Sequence, residues 1–242
     1  MIINIGENME FIKEKWEKSD KVEFINYLDS LKNEDKITWT KNLLNTKLDC
    51  FAIKTEVIKS IAKEIKKGNY KSFLDLQIYD TYDSYAVNGF IINKIKDFNE
   101  VKYYLDIYSS YVDSWGLCDL ISLDIRGHEN EYLYLVKEYI KSDLTFKRRI
   151  GLRILFKFIN YDEYLNEIFS IIDSLKEEKE YYVNMINAWF LCELFIKRIK
   201  ETLKYLDNNN LNTWTLNKMI SKCRDSYRVS KIDKKLLLKY KK

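Results

Sequence analysis

Val57-Ile58-Lys59-Ser60-Ile61-Ala62-Lys63-Glu64-Ile65 sets its apolar residues at the first, second, fifth, sixth and ninth positions. That is the 3.6-residue period of a helix with one buried face, whereas a half-buried strand would alternate. Gly68-Asn69 follows as a stop, and residues 49–55 form a turn that feeds the helix. Working outward, the same period recurs almost everywhere. Toward the N-terminus it covers residues 9–16 and, behind a Ser19-Asp20 cap, residues 22–31, with a short segment at 37–44. Toward the C-terminus it covers 70–79, 84–95 and 100–110. Asp113 is placed to cap a helix carrying Trp115 and Asp119, which Gly127-His128 breaks. Further helices are expected over 129–140, 146–159, 161–175, 181–195, 200–206 and 213–223, with a final basic helix capped by Ser230.

Composition agrees with an all-α chain. Proline is absent and there are only 6 glycines in 242 residues, while sandwiches and barrels need both in their turns. Hydrophobic residues make up 46%, enough for a packed core. Helix pairs recur about every 35–45 residues, the spacing of helical repeat arrays. The expected fold is therefore a single all-α domain over residues 1–242, an α-solenoid of helical repeats with a concave face able to hold an extended partner. A globular helical bundle is the alternative.

No apolar run is long enough to span a membrane, and the first residues lack the pattern of a secretory signal. Cys50, Cys118, Cys192 and Cys223 are far apart among apolar neighbours, as reduced core thiols of a cytoplasmic protein would be. No metal or organic cofactor is expected. The single His128 gives no zinc site and no conventional histidine chemistry. The net charge is +4, but residues 181–242 hold 14 Lys and Arg against 5 Asp and Glu. That local balance of +9, against −5 for residues 1–180, is the footprint of a surface that meets a polyanion.

Four pieces carry a functional signal. Asp113-Ser114-Trp115-Gly116-Leu117-Cys118-Asp119 puts an indole and a carboxylate four residues apart. Phe51-Ala52-Ile53-Lys54-Thr55, Phe146-Lys147-Arg148-Arg149-Ile150-Gly151 and the run from Tyr182-Val183 to Ala188-Trp189 stand with it in order. Together they resemble the DNA alkylation repair family, the HEAT-like-repeat DNA glycosylases of the AlkD type. The resemblance covers about residues 51–242.

The resemblance implies a fold of HEAT-like repeats and a monofunctional N-glycosylase. Such an enzyme releases cationic alkylpurines, such as 3-methyladenine and 7-methylguanine, without flipping the base into a pocket, unlike most glycosylases. It implies that Asp119 is the catalytic carboxylate and that Trp115 and Trp189 flank the damaged nucleotide's sugar. Arg149, or its neighbour Arg148, would hold the backbone phosphate. Double-stranded DNA is the implied partner of a monomer. The residue types suit the chemistry. A cationic purine is already a good leaving group, so what needs stabilising is the sugar oxocarbenium ion, by a carboxylate's charge and by indole faces.

Three departures from the family pattern leave a second reading open. Ser114 stands where active members have a second aromatic, and Asn184-Met185 where a Gln-Lys pair is usual. Residues 37–47 match poorly to the aromatic and lysine-rich helix that active members place in the minor groove. A non-catalytic paralogue, a helical-repeat scaffold with weak nucleic-acid or protein binding, is the alternative. In that case the tryptophans are core residues and the arginines ordinary surface charges.

Overall fold

The computed structural model describes residues 9–242. Among them helices are the only regular elements, and Asp49 and Thr81 form one isolated bridge. The chain divides into two compact units, Met1–Asp124 and Ile125–Lys242.

Unit 1 contains α1 (Lys18–Ser30), α2 (Glu34–Leu44), α3 (Thr55–Ile65), α4 (Tyr70–Asp75), α5 (Tyr82–Ile92), α6 (Phe98–Tyr111) and α7 (Trp115–Asp119). The expected face of α3 is the one that is buried: Val57, Ile58, Ile61, Ala62 and Ile65. They pack on α5, which is enclosed along most of its length.

Residues 9–16 are not the helix that their spacing suggests. They run extended, with Met9 and Phe11 buried and Glu10 and Ile12 exposed, a period of two. The backbone is held by the α3–α4 turn: Asn69 N donates to Lys13 O at 2.9 Å, and Trp16 N to Ser72 Oγ at 2.9 Å. Trp16 closes an edge-on aromatic cluster, 4.9 Å from Phe73 and 6.1 Å from Phe24. Each such pair adds about 0.5–1.5 kcal/mol to the burial itself. Two helices also end sooner or start later than their period suggests. The helix expected over 70–79 stops at Asp75, because Gln77 has a φ of 47°. The one expected over 161–175 is regular only from Leu165.

The α2–α3 connection is fastened by a buried carboxylate. Asp83 of α5, 2% exposed, accepts hydrogen bonds from Phe51 N at 2.6 Å and Ile53 N at 3.0 Å. Between them Ala52 takes a φ of 54°, a left-handed conformation costly for a residue with a Cβ. Burial raises the Asp83 carboxyl above the usual carboxylate range, and the two amide bonds oppose that rise.

Unit 2 contains α8 (Glu129–Ile140), α9 (Thr145–Leu155), α10 (Leu165–Asp173), α11 (Tyr181–Lys197), α12 (Ile199–Leu206), α13 (Thr213–Asp225) and α14 (Lys231–Leu237). α11 is its spine. Val183, Ile186, Phe190, Leu191, Leu194 and Phe195 are fully buried, each worth about 1.5–3 kcal/mol. α8 packs on α9, α9 on α11, and α11 on α13. The four cysteines are buried and none is in a disulfide. Burial, followed by the charge of Asp83, pushes the Cys50 thiol up to about 11. No described helix is long and apolar enough to cross a membrane.

Candidate functional site

α7 is five residues long and owes its placement to side chains rather than length. Its N-cap is Ser114, whose Oγ accepts from Gly116 N at 3.3 Å, and not Asp113 as the spacing suggests. Asp113 serves a distant partner instead: it accepts from Thr46 Oγ1 at 2.8 Å and Lys47 N at 2.7 Å. The Ser114 hydroxyl donates to Leu44 O at 2.8 Å, and the Trp115 indole Nε1 donates to Leu43 O at 3.1 Å. Carbonyls in the last turn of a helix have no partner within it. The 113–115 segment thus supplies partners for the C-terminal end of α2, where Asn45 turns the chain left-handed.

Gly116 makes this approach possible. A Cβ there would sit 2.5 Å from Tyr82 Oη and 2.6 Å from Leu44 Cδ2. Gly116→Ala should therefore displace the Tyr82 and Leu44 side chains and cost about 1–3 kcal/mol, the usual cost of overpacking. A thermal melt equal to that of the wild type would contradict this.

Leu117 and Cys118 anchor α7 on the inside, with Tyr108 Oη donating to Leu117 O at 2.9 Å. Asp119 leaves the end of the helix half-buried. Asn93, after α5, grips the chain just beyond it: its Nδ2 donates to Leu120 O at 2.9 Å and its Oδ1 accepts from Ser122 N at 2.7 Å.

Asp119 then lines a groove of about 850 Å³ together with Asn93, Phe90 and five lysines, Lys59, Lys63, Lys66, Lys67 and Lys94. Lys67 pairs with Glu64 at 2.6 Å, and Lys59 Nζ lies 5.5 Å over the Phe90 ring. Burial lowers the Lys66 amine below the usual lysine range. Lys59, Lys63 and Lys94 make no ion pair among the described residues. Neither the lysines nor Asn93 were expected from the sequence. Lys59, Lys63 and Lys67 recur every four residues, which is also the pattern of an ordinary solvated face.

Trp115 and Asp119 lie in unit 1; Arg148, Arg149 and Trp189 lie in unit 2. Arg148 is bound within its own unit. Its Nε and Nη2 reach Glu178 at 2.8 and 3.1 Å, and its Nη1 donates to Ser142 O at 2.8 Å. Arg149 is 4% exposed, and its Nη1 donates to Tyr182 O at 2.6 Å. One turn further along α9, Arg153 lies over Trp189 and Phe156, 5.9 and 5.3 Å from their ring centres. Trp189 is half-buried and stands 4.7 Å from Phe156. It lines a depression of about 330 Å³ with Phe156, Asn160, Glu193 and Lys197. Arg228 holds Glu193 through both terminal nitrogens and keeps its carboxyl below the usual range.

Each unit thus presents an aromatic residue beside charge. Unit 1 has an acid among lysines, and unit 2 has two tilted rings under an arginine. None of the curated proteins matches the chain. The family described as DNA alkylation repair enzyme matches residues 24–222, most of the chain and most of each unit. The protein belongs to the DNA alkylation repair enzyme family.

Proposed function

We propose that the protein is a DNA N-glycosylase that releases cationic alkylpurines, such as 3-methyladenine and 7-methylguanine, from duplex DNA. The observation that carries this is Asp119, a half-buried carboxylate on the wall of a groove whose other charged residues are five lysines. Lysines draw in a phosphate backbone, and they do so without reading sequence. A carboxylate on that wall does not serve the phosphates themselves; it favours a developing positive charge. The sugar of a departing alkylpurine carries such a charge. The N-glycosidic bond breaks, its electrons leave with the cationic base, which departs neutral, and C1′ becomes electron-poor. Asp119 stabilises that centre and orients the water that adds to it. The fixed ring of Trp115, four residues before Asp119, supplies an indole face of the kind that favours cations.

The successive packing of α8, α9, α11 and α13 supports a stack of HEAT-like repeats, an α-solenoid, as the architecture behind this activity. The scaffold alternative drew on the weak match of residues 37–47. Helix α2 does form there, and its Trp39 is 64% exposed, which favours the enzyme. Arg148, bound to Glu178, is given a structural role; Arg149 contributes charge from behind the surface.

The test is base release from methylated duplex DNA, followed by chromatography of the free bases. Wild-type protein is expected to liberate 3-methyladenine or 7-methylguanine with no added metal. Folded protein that liberates neither would overturn the proposal.

A further inference from the structure

We propose that Cys192 of α11 and Cys223 of α13 form a redox-sensitive pair, in which hydrogen peroxide joins the two sulfurs in a reversible disulfide that staples α13 to the spine of unit 2. The pair stands apart from Asp119 and needs no part of the glycosylase chemistry.

Three observations lead there. First, the register of the two helices brings the thiols together. At the start of α13, Asn212 Nδ2 and Thr215 Oγ1 donate to Asn184 Oδ1 of α11 at 3.0 and 2.9 Å. Just past the end of α13, Arg228 holds Glu193 of α11 through both terminal nitrogens. The two helices therefore run in the same direction. Cys192 lies eight residues beyond Asn184 and Cys223 eight beyond Thr215, about 12 Å along each helix at about 1.5 Å per residue. Second, the thiols meet. Cys223 Sγ donates a hydrogen bond to Cys192 Sγ, with Cys192 4% exposed and Cys223 fully enclosed. From that contact, closure to the about 2.05 Å of an S–S bond is a short movement. Third, the two thiols differ in character. The bond from Cys223 holds the Cys192 thiol below the usual range against burial and the charge of Glu193, and the positive charges of Arg228 and Lys222 act with it. The same bond, with burial, pushes Cys223 up. Thiolate character is what makes a cysteine react with peroxide, so Cys192 attacks and Cys223 resolves.

The steps balance. Cys192 gives up its proton and its sulfur attacks one peroxide oxygen. The O–O bond breaks, and the hydroxide that leaves takes the proton and departs as water. Cys192 is then a sulfenic acid. The Cys223 sulfur attacks it, the S–O bond breaks, and the hydroxide leaves with the Cys223 proton as a second water. Two thiols are oxidised to one disulfide and one peroxide is reduced to two waters. An added dithiol reverses the bridge.

The experiment treats full-length native protein with hydrogen peroxide, alkylates the remaining thiols in denaturant, and weighs a non-reducing digest by mass spectrometry. A peptide pair linked through Cys192 and Cys223 is expected, absent after dithiothreitol, with Cys50 and Cys118 alkylated. The linked protein should melt roughly 5–15 °C higher than the reduced one, for a closed loop of about 30 residues. In Cys223→Ser, dimedone should capture a sulfenic acid at Cys192; in Cys192→Ser it should find none at Cys223. Both thiols still alkylated after peroxide, a sulfinic acid at Cys192 without linkage, or a bridge to Cys50 or Cys118 would overturn the pair. A linked protein that melts at or below the reduced one would overturn the staple.

Discussion

Asp119→Asn is expected to lower the rate of base release from methylated duplex DNA by roughly 10²–10³-fold, the usual cost of removing one preorganised electrostatic partner from a transition state. The substitution keeps the volume and removes only the charge. Asp119 stands half-buried at the end of α7, and asparagine keeps its shape and one acceptor oxygen. The fold should therefore stand, with a change in stability of no more than about 1 kcal/mol. Duplex binding should hold or tighten, because a negative charge leaves a wall that carries five lysines. The combination is diagnostic: chemistry lost, binding kept, melting unchanged. Undiminished release by the variant would remove Asp119 from the mechanism.

Asp83→Ala should have the largest effect on stability. The carboxylate is 2% exposed and accepts from the amides of Phe51 and Ile53. Alanine leaves both amides unpaired in the interior, at about 1–3 kcal/mol each. Ala52 then keeps its left-handed backbone with neither flanking amide held by a carboxylate. The summed loss is about 2–6 kcal/mol. At about 2–4 °C per kcal/mol for a chain of this size, Tm should fall by roughly 4–24 °C. Asp83→Asn should land between the two, since an amide offers one acceptor oxygen and turns its NH₂ toward a second donor. A drop of less than about 2 °C for the alanine variant would contradict this account.

How far the sequence reveals such features depends on the range of the interaction. Helices whose burial is periodic were legible: α8 spans Glu129–Ile140, the bounds its pattern suggests, and α11 is the buried helix its apolar run suggests. Residues 9–16 misled because Met9, Ile12 and Trp16 fit a helical stripe while Met9 and Phe11 fit an alternating one, and the choice is made by contacts with Asn69 and Ser72 far along the chain. The cap of α7 misled for the same reason. Asp113 has the chemistry of a cap, but Thr46 and Lys47 compete for it across some 66 residues.

Electrostatics was the least legible. Net charge by segment pointed to residues 181–242 and hid the lysine groove in the part of the chain that is acidic on average. Averages along a chain do not say which charges fold to one face. Nor could spacing show that Arg148 is bound to Glu178 or that Arg149 is nearly covered.

The bonds from Ser114 and Trp115 to the end of α2 carry an evolutionary consequence. Trp115 serves the frame whether or not the protein cuts anything. A descendant that lost its chemistry would still be held to an indole at this position by selection for folding, while the carboxylate at 119 drifted freely. Among relatives of this chain, a kept tryptophan is therefore poor testimony of activity. The acid one turn later is the better witness.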